Sequence, residues 1–251
     1  MPGDAKSIVR GNSSTWPTQS FLAGLERPVL DALVDAGELT AYRRAQPLIR
    51  QGDSDTDVLL LLSSCVKVVS TLPQGGHALL AVRVGGDVVG EQAALDGGLR
   101  SASVVACGLS PVLAVRLARA EFERILSGCP AGAFALAASV SRKLRASTRR
   151  RVDYTSFTTP TRLARVLLEM ADDYGHVTYG GSVVIGVDLT QLEWGTLIGV
   201  KASSVERALR ELRDNEIVAA GAGRITVRDM AALRALALPG ESPKPPRRSL
   251  I

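Results

Sequence analysis

"GEQAALDGGLRSASVV", Gly90–Val105, lies between two apolar stretches that read as strands, "ALLAVRVGGDVV" and "SVVACGLSPVLAVRL". It sets a carboxylate, Glu91, and a guanidinium, Arg100, beside an apolar core. An unpaired buried charge is costly, so each must sit in water or be neutralised. The residues leave three readings open. The stretch is a solvated turn, the two charges pair directly, or both face a polar ligand between them.

The chain around this stretch has 251 residues, enough for one large or two ordinary domains with a real core. Hydrophobic content of 46% and charged content of 22% are those of a soluble globular protein. No apolar run approaches the roughly 18 residues of a membrane span. The opening residues lack the apolar core of a secretory signal. A cytoplasmic protein with no membrane partner is expected. A net charge of +5 permits a polyanionic partner without demanding one. Cys65, Cys107 and Cys129 have neither metal spacing nor a disulfide pattern, so buried reduced thiols are expected. His77 and His176 have no Cys or carboxylate at ligand spacing, which argues against a metal site or a histidine-dependent triad. No nucleophile–base pair or P-loop is visible, so no catalytic residues and no enzyme are expected.

Outward from Gly90 the texture divides the chain. Residues 1–20 are small, polar and Pro-containing and predict a flexible extension. "FLAGLERPVLDALVDAGEL" then spaces Leu25, Leu30, Leu33 and Val34 helically. From Thr40 to about Leu117, short Val- and Leu-rich runs alternate with "PQGG" and "GGD" turns, the pattern of a small sandwich, barrel or roll. A helix ended by Gly128 and Pro130 follows, then a long one from about Ala131 to Phe157. Along it Ala133, Ala137, Val140, Leu144, Ser147, Arg151 and Tyr154 form a heptad-like seam, so a homodimer is predicted. Arg142, Lys143, Arg145, Arg149, Arg150 and Arg151 crowd the same helix, as a solvated face or as an aid to nucleic-acid binding. Pro160 suits the first turn of the next helix, and helical texture continues to about Leu238. The Pro-rich, charged residues 239–251 predict a disordered tail.

"DLTQLEWGTLIGVKASSVERALRELRDNEIVAAGAGRITVRD" carries the second motif. Leu189, Leu192 and Leu197 suit the inner face of one short helix, and Gly199 breaks it. Val205, Ala208, Leu209 and Leu212 suit a second helix, which gives a helix-turn-helix. Two short strands around a Gly turn would follow as a wing. The outer face of the second helix carries Ser203, Ser204, Arg207 and Arg210, with Lys201 at its entrance and Thr190 and Gln191 at the start of the first helix. Such side chains can read base edges or hold phosphates of double-stranded DNA. Ser203 equally fits a capping box with Glu206, and Arg207 a surface ion pair. Acidic residues slightly outnumber basic ones from Pro160 to Asp229, so DNA affinity must come from a local surface.

A β-rich domain, a long dimer-type helix and a winged helix-turn-helix, in that order, resemble the cyclic-AMP receptor/fumarate–nitrate regulator family of bacterial transcription factors. The resemblance covers roughly Phe21 to Leu236, and residues 90–102 look like the family's phosphate-binding cassette. It implies an α+β fold: a cyclic-nucleotide-binding β-roll at 21–128, a dimerisation helix at 129–158 and a winged helix-turn-helix at 159–238. It implies cyclic AMP as the ligand, with no metal. Arg100 and Ser101 would take the phosphate at the head of the "QAALD" helix, with Gln92 in its first turn. Glu91 would hold the ribose hydroxyl, and Gly90 would allow close approach. Ser147 and Thr148 would meet the base from the two subunits. Homodimer, DNA and RNA polymerase are the implied partners. Ser64 departs from the family at a turn that often carries Gly, and Ala202 and Ser203 stand where its recognition helix has Arg and Glu, so its usual operator is not implied. The alternatives are the same fold with no nucleotide or with another such as cyclic di-GMP, and a nucleotide-sensing subunit that docks on a partner protein.

Overall fold

The computed structural model describes residues 5–73, 75–221 and 224–238, and the expected tail at 239–251 lies outside them. The chain forms two compact units, divided within the long helix at Arg151/Val152, with residues 187–189 counted in the first.

In the first unit, α1 (Ala5–Asn12) and α2 (Arg27–Asp35) precede β1 (Glu38–Tyr42), β2 (Pro47–Ile49), β3 (Val58–Leu61), β4 (Cys65–Thr71), β5 (His77–Val84) and β6 (Val88–Val89). Then come α3 (Glu91–Asp96), β7 (Ser103–Ala106), β8 (Val112–Leu117), α4 (Arg119–Ser127) and α5 (Pro130–Ser156). The strands make two four-stranded sheets, β1-β8-β3-β6 and β2-β7-β4-β5. The run "VLLLL" explains the layering. Successive strand side chains point to opposite faces. Val58, Leu60 and Leu62 enter a core with Leu30, Leu33, Phe122 and Leu136 from the helices. Leu59 and Leu61 enter a second core with Val66, Val104 and Ala106 of the other sheet. Each fully buried Leu contributes about 1.5–3 kcal/mol, so β3 ties sheet to sheet and sheet to helices.

Two expectations change here. The first twenty residues are not a loose extension where the structure describes them. Val9 and Trp16 are buried in the helical core, Trp16 Nε1 donates to the Leu62 carbonyl at 3.0 Å, and Lys6 pairs with Asp35. Their apolar anchors are too sparse to read from composition. The stretch from Phe21 is also not one helix. Leu22–Gly24 makes a single 3-10 turn and α2 starts afresh at Arg27, because Pro28 suits a first turn and not an interior.

In the second unit, the last turns of α5 are followed by α6 (Thr159–Tyr174), β9 (His176–Val177), β10 (Val183–Ile185), α7 (Gln191–Ile198), α8 (Ala202–Asp214), β11 (Val218–Gly221), β12 (Arg224–Val227) and α9 (Met230–Ala237). The sheet order is β11-β12-β10-β9. β11 and β12 stand where the two wing strands are expected, whereas β9 and β10 replace helical texture expected there. "VVI" between glycines is too short for its period to decide, and pairing of Val183–Ile185 with Ile225–Val227 makes it a strand. Among the described residues no helix is long and apolar enough to cross a membrane.

Candidate functional site

The opening stretch follows β6 with a left-handed glycine and a short helix, α3, and ends inside β7. Gly90 has φ 84°, and a Cβ there would lie 2.7 Å from Arg100 Nη1 and 2.8 Å from the Asp57 carbonyl oxygen. Only glycine lets the backbone run this close to the guanidinium. Glu91 and Arg100 are both buried, at 4% and 3% exposure. A cavity of about 380 Å³ is lined by Gly90, Glu91, Gln92, Arg100, Ser101 and, from α5, Ser147. Thr148 is exposed on α5 and is not part of that lining.

Neither protein-only reading of the two charges describes them. They are not in a solvated turn and do not pair with each other. Arg100 is gripped by Asp55, with Nε to Oδ2 at 3.3 Å and Nη2 to Oδ1, and it donates to the carbonyls of Gly90 at 2.9 Å and Asp57 at 2.6 Å. The Asp55 carboxyl is held below the usual range by the Arg100 hydrogen bond. Glu91 accepts from Lys143 Nζ at 2.8 Å, and the same ammonium reaches the Val88 carbonyl at 2.6 Å. Burial pushes the Lys143 pKa down, and Glu91 opposes that shift. Ser101 donates to Gln92 Oε1 at 2.9 Å. Asp55 and Lys143 were missed as site residues. Asp55 lies 45 residues from Arg100, and nothing in the sequence pairs them. Lys143 had a usable signal: it stands one turn before Ser147, so both can face one object.

The second motif builds a helix-turn-helix from α7 and α8 around residues 199–201. Gly199 has φ 71°, and the Tyr154 ring lies 2.9 Å from where its Cβ would be. Tyr154 also donates to the Leu197 carbonyl at 3.0 Å, so it serves this unit's packing besides ending the seam. Val205, Ala208, Leu209 and Leu212 are buried, while Lys201, Ser203, Arg207 and Arg210 are exposed and Ser204 is half-buried. Ser203 does not cap α8, because the helix starts at Ala202 and the cap position is Lys201. Glu206 pairs with Arg210 at 3.3 Å. The capping box belongs to α7: Thr190 Oγ1 accepts from Glu193 N at 3.2 Å, and Glu193 Oε2 accepts from Thr190 N at 2.8 Å. Gln191 follows it, exposed. Leu192, expected inside, is 59% exposed, and Trp194 takes the inner position.

Two family models match the chain: a cyclic nucleotide-binding domain over residues 39–129 and a Crp-like helix-turn-helix domain over 161–236. A CRP-like cAMP-activated global transcriptional regulator of Mycobacterium tuberculosis is 27% identical over 188 residues, 75% of this chain and 83% of the relative. A cyclic AMP receptor protein of Thermus thermophilus is 29% identical over 220 residues, 85% and 94% of the two chains. Among solved structures, the c-di-GMP-responsive global regulator CLP of Xanthomonas campestris superposes with a TM-score of 0.69 at 13% identity, over 82% of this chain and all of that one, a likeness of fold. These relatives are transcriptional regulators, not enzymes. With a nucleotide-binding roll and a helix-turn-helix matched in the same order as its own two units, the chain belongs to the cyclic-AMP receptor/fumarate–nitrate regulator family, as a DNA-binding transcriptional regulator with a cyclic nucleotide-binding domain.

Proposed function

We propose that this regulator is a homodimer whose β-roll takes cyclic AMP and thereby sets the helix-turn-helix units on a palindromic site. One observation carries the reading: Glu91, Arg100, Ser101 and Ser147 of the long helix line a single cavity. Because Arg100 and Glu91 already have protein partners, binding is an exchange. The ligand's phosphate takes the guanidinium from Asp55, with Ser101 as second donor, and the ribose hydroxyl donates to Glu91 beside Lys143. Gly90 and Gln92 frame the phosphate. Ser147, and Thr148 from the second copy, meet the base, so the ligand bears directly on the dimer helix and biases its setting. On DNA, Arg207, Ser203 and Ser204 face base edges, and Lys201, Arg210, Gln191 and the Thr190-capped start of α7 face phosphates. RNA polymerase is the further partner this reading implies, and the cytoplasm its place.

The same charge partners favour one second reading. With Arg100 and Glu91 satisfied from within, the fold is self-consistent as a regulator without a nucleotide.

Calorimetry with cyclic AMP, cyclic GMP and cyclic di-GMP separates the readings, paired with gel shifts on genomic fragments. Saturable cyclic AMP binding that disappears in Arg100→Ala is expected. Retained fragments should lose selectivity in Arg207→Ala, by about 1–3 kcal/mol if that side chain reads a base. Binding that survives the loss of Arg100 overturns the phosphate role, and no heat with any nucleotide establishes the second reading.

A further inference from the structure

Cys65 opens β4, and Cys107 follows β7 directly. The two strands pair antiparallel with Val66 opposite Ala106 and Lys67 opposite Val105, so the cysteines hold the next facing position of the ladder. Cys107 N donates to the Cys65 carbonyl at 3.1 Å. Their sulfurs already touch, with Sγ to Sγ at 3.7 Å across 42 residues of chain. Facing positions bring Cβ atoms to about 4.5–5.5 Å, and a disulfide needs about 3.5–4.5 Å. A small swing therefore closes the gap. Room for it exists because Gly108 brings no side chain; a Cβ there would stand 3.2 Å from Cys65 Sγ.

We propose that Cys65 and Cys107 are a peroxide-responsive dithiol that closes reversibly to a cross-strand disulfide within one chain. Both residues are buried, at 5% and 3% exposure, so the oxidant is a small one, hydrogen peroxide. Cys65 is the attacking sulfur. The Cys107 thiol donates a hydrogen bond to it and pulls its pKa down against the effect of burial, and the thiolate is the nucleophile. Cys65 Sγ attacks one peroxide oxygen: the S–O bond forms, the O–O bond breaks, and the departing hydroxide takes the Cys65 proton as water. Cys107 Sγ then attacks the Cys65 sulfenic acid. The S–S bond forms, the S–O bond breaks, and hydroxide leaves with the Cys107 proton as a second water. Two electrons pass from the sulfur pair to one peroxide, and a dithiol reductant reverses the change. The bridge would lock β4 to β7 three positions from Val68 and Val104, a facing pair that lines the cavity.

The full-length protein, exposed to hydrogen peroxide, is alkylated, unfolded and analysed by mass spectrometry under non-reducing conditions. The alkylatable thiols should fall from three to one per chain. A peptide linking Cys65 to Cys107 should appear without any dimer band, and dithiothreitol should restore all thiols. Cys129→Ser should leave the linkage intact, and Cys107→Ser should abolish it. Three thiols still alkylated after peroxide overturn the proposal, as does a linkage through Cys129, or Cys65 carried to sulfinic acid with Cys107 still free. The readout needs no nucleotide and no DNA, so it stands or falls apart from the ligand assignment.

Discussion

Gly90 carries two constraints at once, a left-handed backbone and the close passage of Arg100. Gly52 separates them, because it has φ 86° but open space around its Cβ position. Left-handed backbone costs an alanine about 1–2 kcal/mol. Gly52→Ala should lose about that much in urea unfolding, and Gly90→Ala more, because the guanidinium must move as well. Equal losses would show that the close approach carries no energy. Asp55 gives a pH test. Its carboxyl sits below the ordinary aspartate value of about 3.9, so near that pH the folded chain binds fewer protons than the unfolded one. Its contribution is complete above that value and is lost as pH falls through the depressed pKa. Asp55→Asn should therefore flatten the acid side of the stability profile while leaving the slope at neutral pH unchanged. An unchanged acid limb would place the stabilisation of Arg100 elsewhere.

At the scale of elements, α5 is the least self-sufficient piece. Phe134, Leu144 and Val152 are 77%, 67% and 55% exposed on it. Of the three, Leu144 lies on the heptad-like seam, and Ala137 and Ser147 beside it on that seam are exposed as well, an open stripe that pairing of two copies would cover. Leu144→Asp should shift sedimentation from dimer toward monomer at micromolar protein. A dimer untouched by that charge would place the contact on another face. The helix-turn-helix shows the opposite balance. Its inner positions are filled and its α7 start is capped by its own side chains, while Lys201, Ser203, Arg207 and Arg210 stay exposed.

For the molecule as a whole, each unit has its own core, and the first one extends further than its texture implied. The N-terminal segment closes the helical side of the roll through Val9 and Trp16. The net charge of +5 is modest, and the basic residues that matter are placed locally. Lys143, read from sequence as one of a crowd of basic residues, is half-buried and paired with Glu91, while Arg207 stays in water. Composition treats the two alike, and only position in the fold separates them.

Sequence alone determined the order of the parts, because periodicity, glycine and proline act locally. The alternating Val/Leu runs, the long helix, the Gly199 break between α7 and α8 and the buried row Val205, Ala208, Leu209 and Leu212 all follow from near-neighbour chemistry. The same local rules misplaced Leu192 and offered Ser203 as a cap, whereas the capping box forms at Thr190 and α8 starts one residue before Ser203, since one residue of register decides which side chain caps. Tertiary structure alone decided who neutralises whom. Arg100 meets Asp55 across 45 residues, Glu91 meets Lys143 across 52, and Cys65 meets Cys107 across 42. Burial of a charge demands a partner but does not say where in the chain it lies; the fold supplies that answer.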